Sequence, residues 1–265
     1  MAWHSRERDG GLASAGLALL VTGLVACNKH RQEIVQGECR PLHGADVCVW
    51  GEVSGNTLVA FGATVPIGSV ENAPADAPMV WPPVVAATIP FPEVVKSATG
   101  FDNLRIFWEA HGHPPGAFLV PHFDFHFYTI PAADVTAIDC ADSTKPGRLP
   151  AEYEMPDLSI PQIGNLIGLC VPEMGMHALP VAELRASTPF QKTMVMGYYH
   201  GRPIFTEPMI ARATLLERRS FLVDIPDVPD RPANGRYPTR FRADYDSTAQ
   251  AYKFVFSNLT AARAP

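Results

Sequence analysis

The chain is short of charge, of basic runs and of closely paired cysteines. Only 18% of its residues are charged, with 21 Lys and Arg against 27 Asp and Glu, for a net charge of −6. A mildly acidic chain without a Lys/Arg run lacks the electrostatic footprint of a nucleic-acid binder. No two cysteines stand at CxxC spacing, which argues against a thiolate zinc site. CxxCH is absent, so nothing marks covalent haem attachment, and without Gly-x-Ser-x-Gly nothing supports a serine hydrolase. Long apolar runs are missing as well. The stretch at residues 12–26 falls below the ~20 residues of a comfortable membrane span, and no later segment is long enough either.

What is present begins with that short run. Residues 1–11 carry Arg6 and Arg8, diluted by Glu7 and Asp9, and residues 12–26 are uncharged and mostly apolar. The order basic, apolar, small reads as an export signal. It ends in Leu24-Val25-Ala26-Cys27, which resembles the lipobox of bacterial lipoproteins. That resemblance implies removal of residues 1–26 and acylation of Cys27, holding the chain on the periplasmic or surface side of a bacterial envelope. Each buried acyl CH₂ adds about 0.8 kcal/mol, so several chains on one Cys anchor without a span. A signal cut elsewhere, with Cys27 an ordinary thiol, is the alternative. Residues 27–38 are expected as a polar tether, and 39–265 as one β-rich domain. Asn28 is compatible with outer-membrane delivery.

Export gives the other cysteines a meaning. Cys39, Cys48, Cys140 and Cys170 suggest two disulfides in an oxidising compartment. Three connectivities are possible; the local pairs Cys39–Cys48 and Cys140–Cys170 are expected because each closes a short loop. Pro, 26 in 265 residues, is spread through apolar runs, the texture of a loop-rich folded domain.

Period-two patterns predict mainly β structure. Hairpins are expected over 46–53 with 57–65, over 192–199 with 203–206, and over 236–245 with 251–258. Strands are also expected at 104–109 and 122–130. Helical signals are few, at 93–97 and 180–186, and 208–217 suits either state. Residues 66–92 and 141–165 read as long Pro-rich loops. A single β-barrel or β-sandwich-like domain with few short helices follows.

The chemistry concentrates in one place. Four of the nine His fall between residues 111 and 126, in the run Glu109-Ala-His111-Gly-His113 … Pro121-His122-Phe-Asp124-Phe-His126-Phe-Tyr128. On a strand, His122, Asp124 and His126 share one face and Phe123, Phe125 and Phe127 the other. Residues four apart on a strand are separated by about 13.6 Å at Cα, so His122 and His126 do not readily bind one ion. With 114–121 as the connecting loop, His113 falls opposite His122 and His111 opposite Asp124. His126 then needs a bulge or ligands from elsewhere. A helical turn over 122–126 is the alternative, in which both His reach one metal. His177 and Glu207 are candidates from distant segments. Neutral imidazoles with a carboxylate suit Zn²⁺ first, and Mn²⁺, Fe²⁺ or Cu²⁺ next. Asp124 or Glu207 would serve as supporting carboxylate or general base. A polar structural network is the competing reading.

The blocks Gly112-His113-Pro-Pro-Gly, Pro121-His-Phe-Asp-Phe-His-Phe-Tyr128, Leu149-Pro to Tyr153, Met174-Gly-Met-His177 and Phe205-Thr-Glu-Pro-Met209 resemble the bacterial DUF5602 (TTHB210-like) family. The resemblance covers most of residues 45–260. It implies a largely β domain in exported proteins and a ring-shaped homo-oligomer, and carries no established reaction or small-molecule ligand. It also makes position 113 firmer than 111. His111-Gly-His113-Pro is similar to the His-x-His of cupins, but the Glu that should follow is missing.

Overall fold

Alternation of apolar and polar side chains decides the architecture, because each strand must bury one face. The computed structural model describes residues 1–2, 31–233 and 235–262. The expected signal peptide from residue 3 to residue 26, and Cys27, lie outside the described residues.

Strands are numbered in chain order. One antiparallel sheet runs β1 (Gln32–Leu42), β2 (Ala45–Ser54), β3 (Thr57–Pro66), β15 (Ala251–Ala261), β14 (Arg236–Asp246), β13 (Phe221–Asp224). The second runs β4 (Val85–Pro90), β5 (Asn103–Glu109), β6 (His122–Tyr128), β12 (Arg202–Ala211), β11 (Lys192–Tyr199), β10 (Met176–Pro180), β7 (Tyr153–Glu154). A small ladder pairs β8 (Leu158–Ile160) with β9 (Gly164–Leu166). Neither large sheet closes on itself, so of the two expected architectures the sandwich-like one is found. All these strands belong to one compact unit.

Aromatic rings hold the two sheets together. Phe125 of β6 meets Phe254 of β15 edge-on at 4.9 Å between centroids, and Phe127 meets Phe256 at 4.6 Å. Phe61 of β3 stacks on Phe256 at 5.3 Å and meets Phe91 at 5.6 Å. Such pairs contribute about 0.5–1.5 kcal/mol each beyond their buried area. The Phe side of the β6 alternation is therefore the core side.

The expected hairpins are all present as β2–β3, β11–β12 and β14–β15. Three expectations need correction. Residues 32–38 are not tether but seven of the eleven residues of β1, paired with β2 over 32–36 and pinned just beyond by the Cys39–Cys48 disulfide. Residues 66–92 hold the helix Ile67–Glu71 and strand β4, and 141–165 hold β7 and β8. Proline interrupts hydrogen bonding often enough there to mask short elements. The second disulfide is Cys140–Cys170, so both local pairings are found. Among the described residues, no helix is long and apolar enough to cross a membrane.

Candidate metal centre

β6 is buried on both faces, so the row His122, Asp124, His126, Tyr128 opposite the core must be covered by something else. Loops supply the cover. The expected register between β5 and β6 is corrected first. β5 stops at Glu109, which pairs with His122; Phe107 pairs with Asp124, Arg105 with His126. The connection is therefore 110–121. Gly112 turns the chain there at φ +67, where a Cβ would lie 2.1 Å from the Phe118 carbonyl oxygen. The amide of His113 donates to that same carbonyl at 3.2 Å. The loop folds over the β6 face and delivers His113 from above.

His111 does not join. Its Nε2 lies 3.1 Å from the Ala77 carbonyl, in a separate cavity with His43, Pro74 and Trp108. It is exposed and takes no part in the cluster. Only Gly112 separates it from His113, but the turn there sends the two side chains apart, and no strand ladder holds them in step.

The other candidates form two neighbouring trios, His113–His122–Asp124 and His126–His177–Glu207, in each of which the ligand atoms lie within 4.8 Å of one another. In the first, Asp124 Oδ1 is 3.2 Å from His122 Nε2, and Oδ2 is 3.8 Å from His113 Nε2. In the second, His126 Nε2 is 3.5 Å from Glu207 Oε2. Glu207 reaches His126 from β12, which pairs with β6 on the side away from β5. His177 comes from β10, opposite Gly197 of β11. Gly197 has no side chain because the Phe205 ring lies over it; a Cβ there would sit 1.9 Å from a ring carbon. That ring fills the gap between His126, at 4.7 Å, and His177, at 5.2 Å.

Imidazole orientation is set by the backbone. Nδ1 lies 2.7 Å from the Val120 carbonyl in His122, 2.9 Å from Leu169 in His177 and 2.8 Å from Pro114 in His113. A carbonyl only accepts, so Nδ1 is protonated and donates, and in the neutral ring this puts the lone pair on Nε2. This is how metal-ligating imidazoles are usually held.

Burial leaves several of these atoms without a hydrogen-bond partner. They include His122 Nε2, Asp124 Oδ1, both ring nitrogens of His126, and Glu207 Oε2. The His122–Asp124 approach is close enough for a hydrogen bond but poorly aligned for one. Orphaned buried polar atoms are rare in native proteins, and five of the eleven among the described residues lie in this one cluster.

The charges are correspondingly perturbed. Burial works to raise Asp124, but His122, His113 and His126 bring it down to about 2. Burial opposes a charge on His122, yet Asp124 outweighs it and raises its pKa. Burial, then His177, drives His126 well below its ordinary value, and burial takes His177 down to about 4. Burial and then His122 lower His113, although its 38% exposed side chain limits the effect. Burial, then Asp124 and Glu109, raises Glu207 well above the carboxylate range.

Glu109 is the residue that sequence reasoning missed. Burial, then Asp124, raises it to about 7. It faces His122 directly across the ladder. The signal was available: Glu109 ends the apolar β5 pattern, and ending the strand there shifts the register by four residues.

Fold and site together define a two-sheet β protein with a His and carboxylate cluster placed to hold a metal ion. No family model, curated protein or solved structure matches the chain.

Proposed function

We propose that this chain is a lipid-anchored protein of the bacterial envelope that binds a divalent transition metal, zinc first, at His113, His122 and Asp124, and uses it to activate water. The carrying observation is the convergence of two Nε2 atoms on one carboxylate, with both Nδ1 atoms already engaged by carbonyls. Two His and a carboxylate leave coordination positions open on zinc or iron. His113 keeps this side accessible, with 38% of its side chain exposed. A bound ion would lower the pKa of its water towards about 7.

Glu109, free of both trios, is placed to accept the water proton. Of the earlier base candidates, Asp124 is a ligand in this arrangement and Glu207 belongs to the neighbouring trio. The lipid anchor rests on the lipobox at Cys27, and the two disulfides accord with an oxidising compartment. Membership of the DUF5602 family rests on the motif blocks, chiefly the octet ending at Tyr128.

Metal analysis of protein purified after zinc-supplemented expression tests the reading. At least one ion per chain is expected, and His122→Ala should lower the count by one with the fold retained. Less than about 0.1 ion per chain would leave a non-catalytic β domain, consistent with a structural role in a homo-oligomer.

A further inference from the structure

The cluster contains more ligands than one ion can use, and they are not arranged around one point. We propose that the protein holds two metal ions: an exchangeable outer one at His113–His122–Asp124, and an enclosed inner one at His126–His177–Glu207. This rests on the metal-binding reading above and adds to it a second site of different character.

Ligand spacing carries the argument. Metal bonds of about 2.0–2.1 Å at a tetrahedral angle place ligand atoms about 3.3 Å apart. His126 Nε2 and Glu207 Oε2 are 3.5 Å apart, close to that separation. The same distance is too long for a good hydrogen bond, which lies at 2.7–3.2 Å. A structural imidazole–carboxyl pair would have closed the gap. Instead the His126 and Glu207 side chains, 1% and 2% exposed, leave their facing atoms without partners. His177 adds a third donor within 4.8 Å of the other two ligand atoms, its ring oriented by the Leu169 carbonyl at Nδ1.

A single ion between the trios would have to abandon these spacings. His122 and His126 are four residues apart on one strand, about 13.6 Å at Cα. Each instead has its own partners: Asp124 and His113 for the first, Glu207 and His177 for the second.

Access separates the two sites. Phe107, Tyr128 and Phe205 wall the inner trio, with ring centroids 5.1, 5.7 and 4.7 Å from that of His126. Arg105, opposite His126, is a nearby cation that has to be accommodated. Its terminal nitrogens donate to the Ala132 carbonyl and Thr136 Oγ1 at 2.7 Å, and to the Glu173 carbonyl at 3.4 Å. Those contacts tie it to the rim, and Tyr128 and Glu173 are the neighbours that favour its charge against burial. Each trio has one partly exposed imidazole, His113 or His177, but the aromatic wall around His126 slows exchange at the inner ion, whereas the 38% exposed side chain of His113 lets water and chelators reach the outer one.

The test is zinc stoichiometry of the full chain by native mass spectrometry, with chelator-release kinetics. The wild type should carry two zinc ions and release them in two phases at least tenfold apart in rate. Glu207→Gln and His177→Gln should each keep one ion and lose the slow phase; His113→Ala should keep one and lose the fast phase. His177 is only half-buried, so its variant reports even if Glu207→Gln does not fold. One ion in the wild type overturns the two-site proposal and leaves the metal-binding reading standing. No ion overturns both. Two ions retained in His177→Gln also overturns it.

Discussion

At the residue scale, three of the four site imidazoles, His113, His122 and His177, have Nδ1 pinned to a backbone carbonyl, which leaves Nε2 to face a metal. Removing a ligand should therefore cost more than the roughly 10–100-fold in affinity lost with an outer-shell partner. For His122→Ala, competition titration with a chromophoric zinc chelator should show a drop above 100-fold, with circular dichroism unchanged. An unaltered affinity would move the ion elsewhere. The same residues predict a pH dependence for metal-free protein. His126 and His177 are held neutral when folded, His177 to about 4, against about 6.5 for an unfolded imidazole. Their depressed values mean that the unfolded chain binds more protons between those limits. Their share of stability should be full above about 6.5 and be lost as pH falls towards about 4, while the raised values of Glu109, Glu207 and His122 act in the opposite sense. The difference between wild type and His177→Gln in thermal melts with chelator isolates the His177 share, and it should shrink as pH falls from about 6.5 to about 4. A difference that grows on acidification would contradict the assignment.

At the scale of elements, strand β6 explains what was legible. Period-two alternation separated His122, Asp124 and His126 from three Phe, and both faces behave accordingly: Phe125 and Phe127 meet Phe254 and Phe256. The hairpins were legible for the same reason. Register was not, because it depends on where β5 ends, and the turn at Gly112 is set by its close approach to the Phe118 carbonyl. That single uncertainty misplaced His111 and hid Glu109. β1 was hidden because its exposed residues carry no apolar alternation. The partnership of His126 with His177 and Glu207 was also beyond reach, since it needs the order β6-β12-β11-β10 across the sheet. Two substitutions test this level. Phe125→Ala should cost about 3–5 kcal/mol in denaturant unfolding, as for other buried Phe. Gly197→Ala forces the Phe205 ring away, since a Cβ there lies 1.9 Å from it. It should destabilise by about 1–3 kcal/mol through overpacking and weaken zinc binding by His177; unchanged values for both would show that the ring does not buttress the site.

At the scale of the whole molecule, a disulfide steadies the site. Cys170 follows Leu169, whose carbonyl orients His177, and its bridge to Cys140 spans 30 residues. Loop-closure entropy gives such a bridge about 3–4 kcal/mol. Replacing both Cys140 and Cys170 by Ser should lower stability by that order and loosen His177. A Cys27→Ser variant expressed in bacteria should lose acyl labelling and leave the membrane fraction; continued acylation would place the anchor on another residue.

The most direct measurement is an anomalous-difference map at the zinc edge from crystals grown with zinc. A peak about 2.0–2.2 Å from His113 Nε2, His122 Nε2 and an Asp124 oxygen is predicted. A map empty at that point, with His122 and Asp124 drawn into a direct hydrogen bond, would contradict the account.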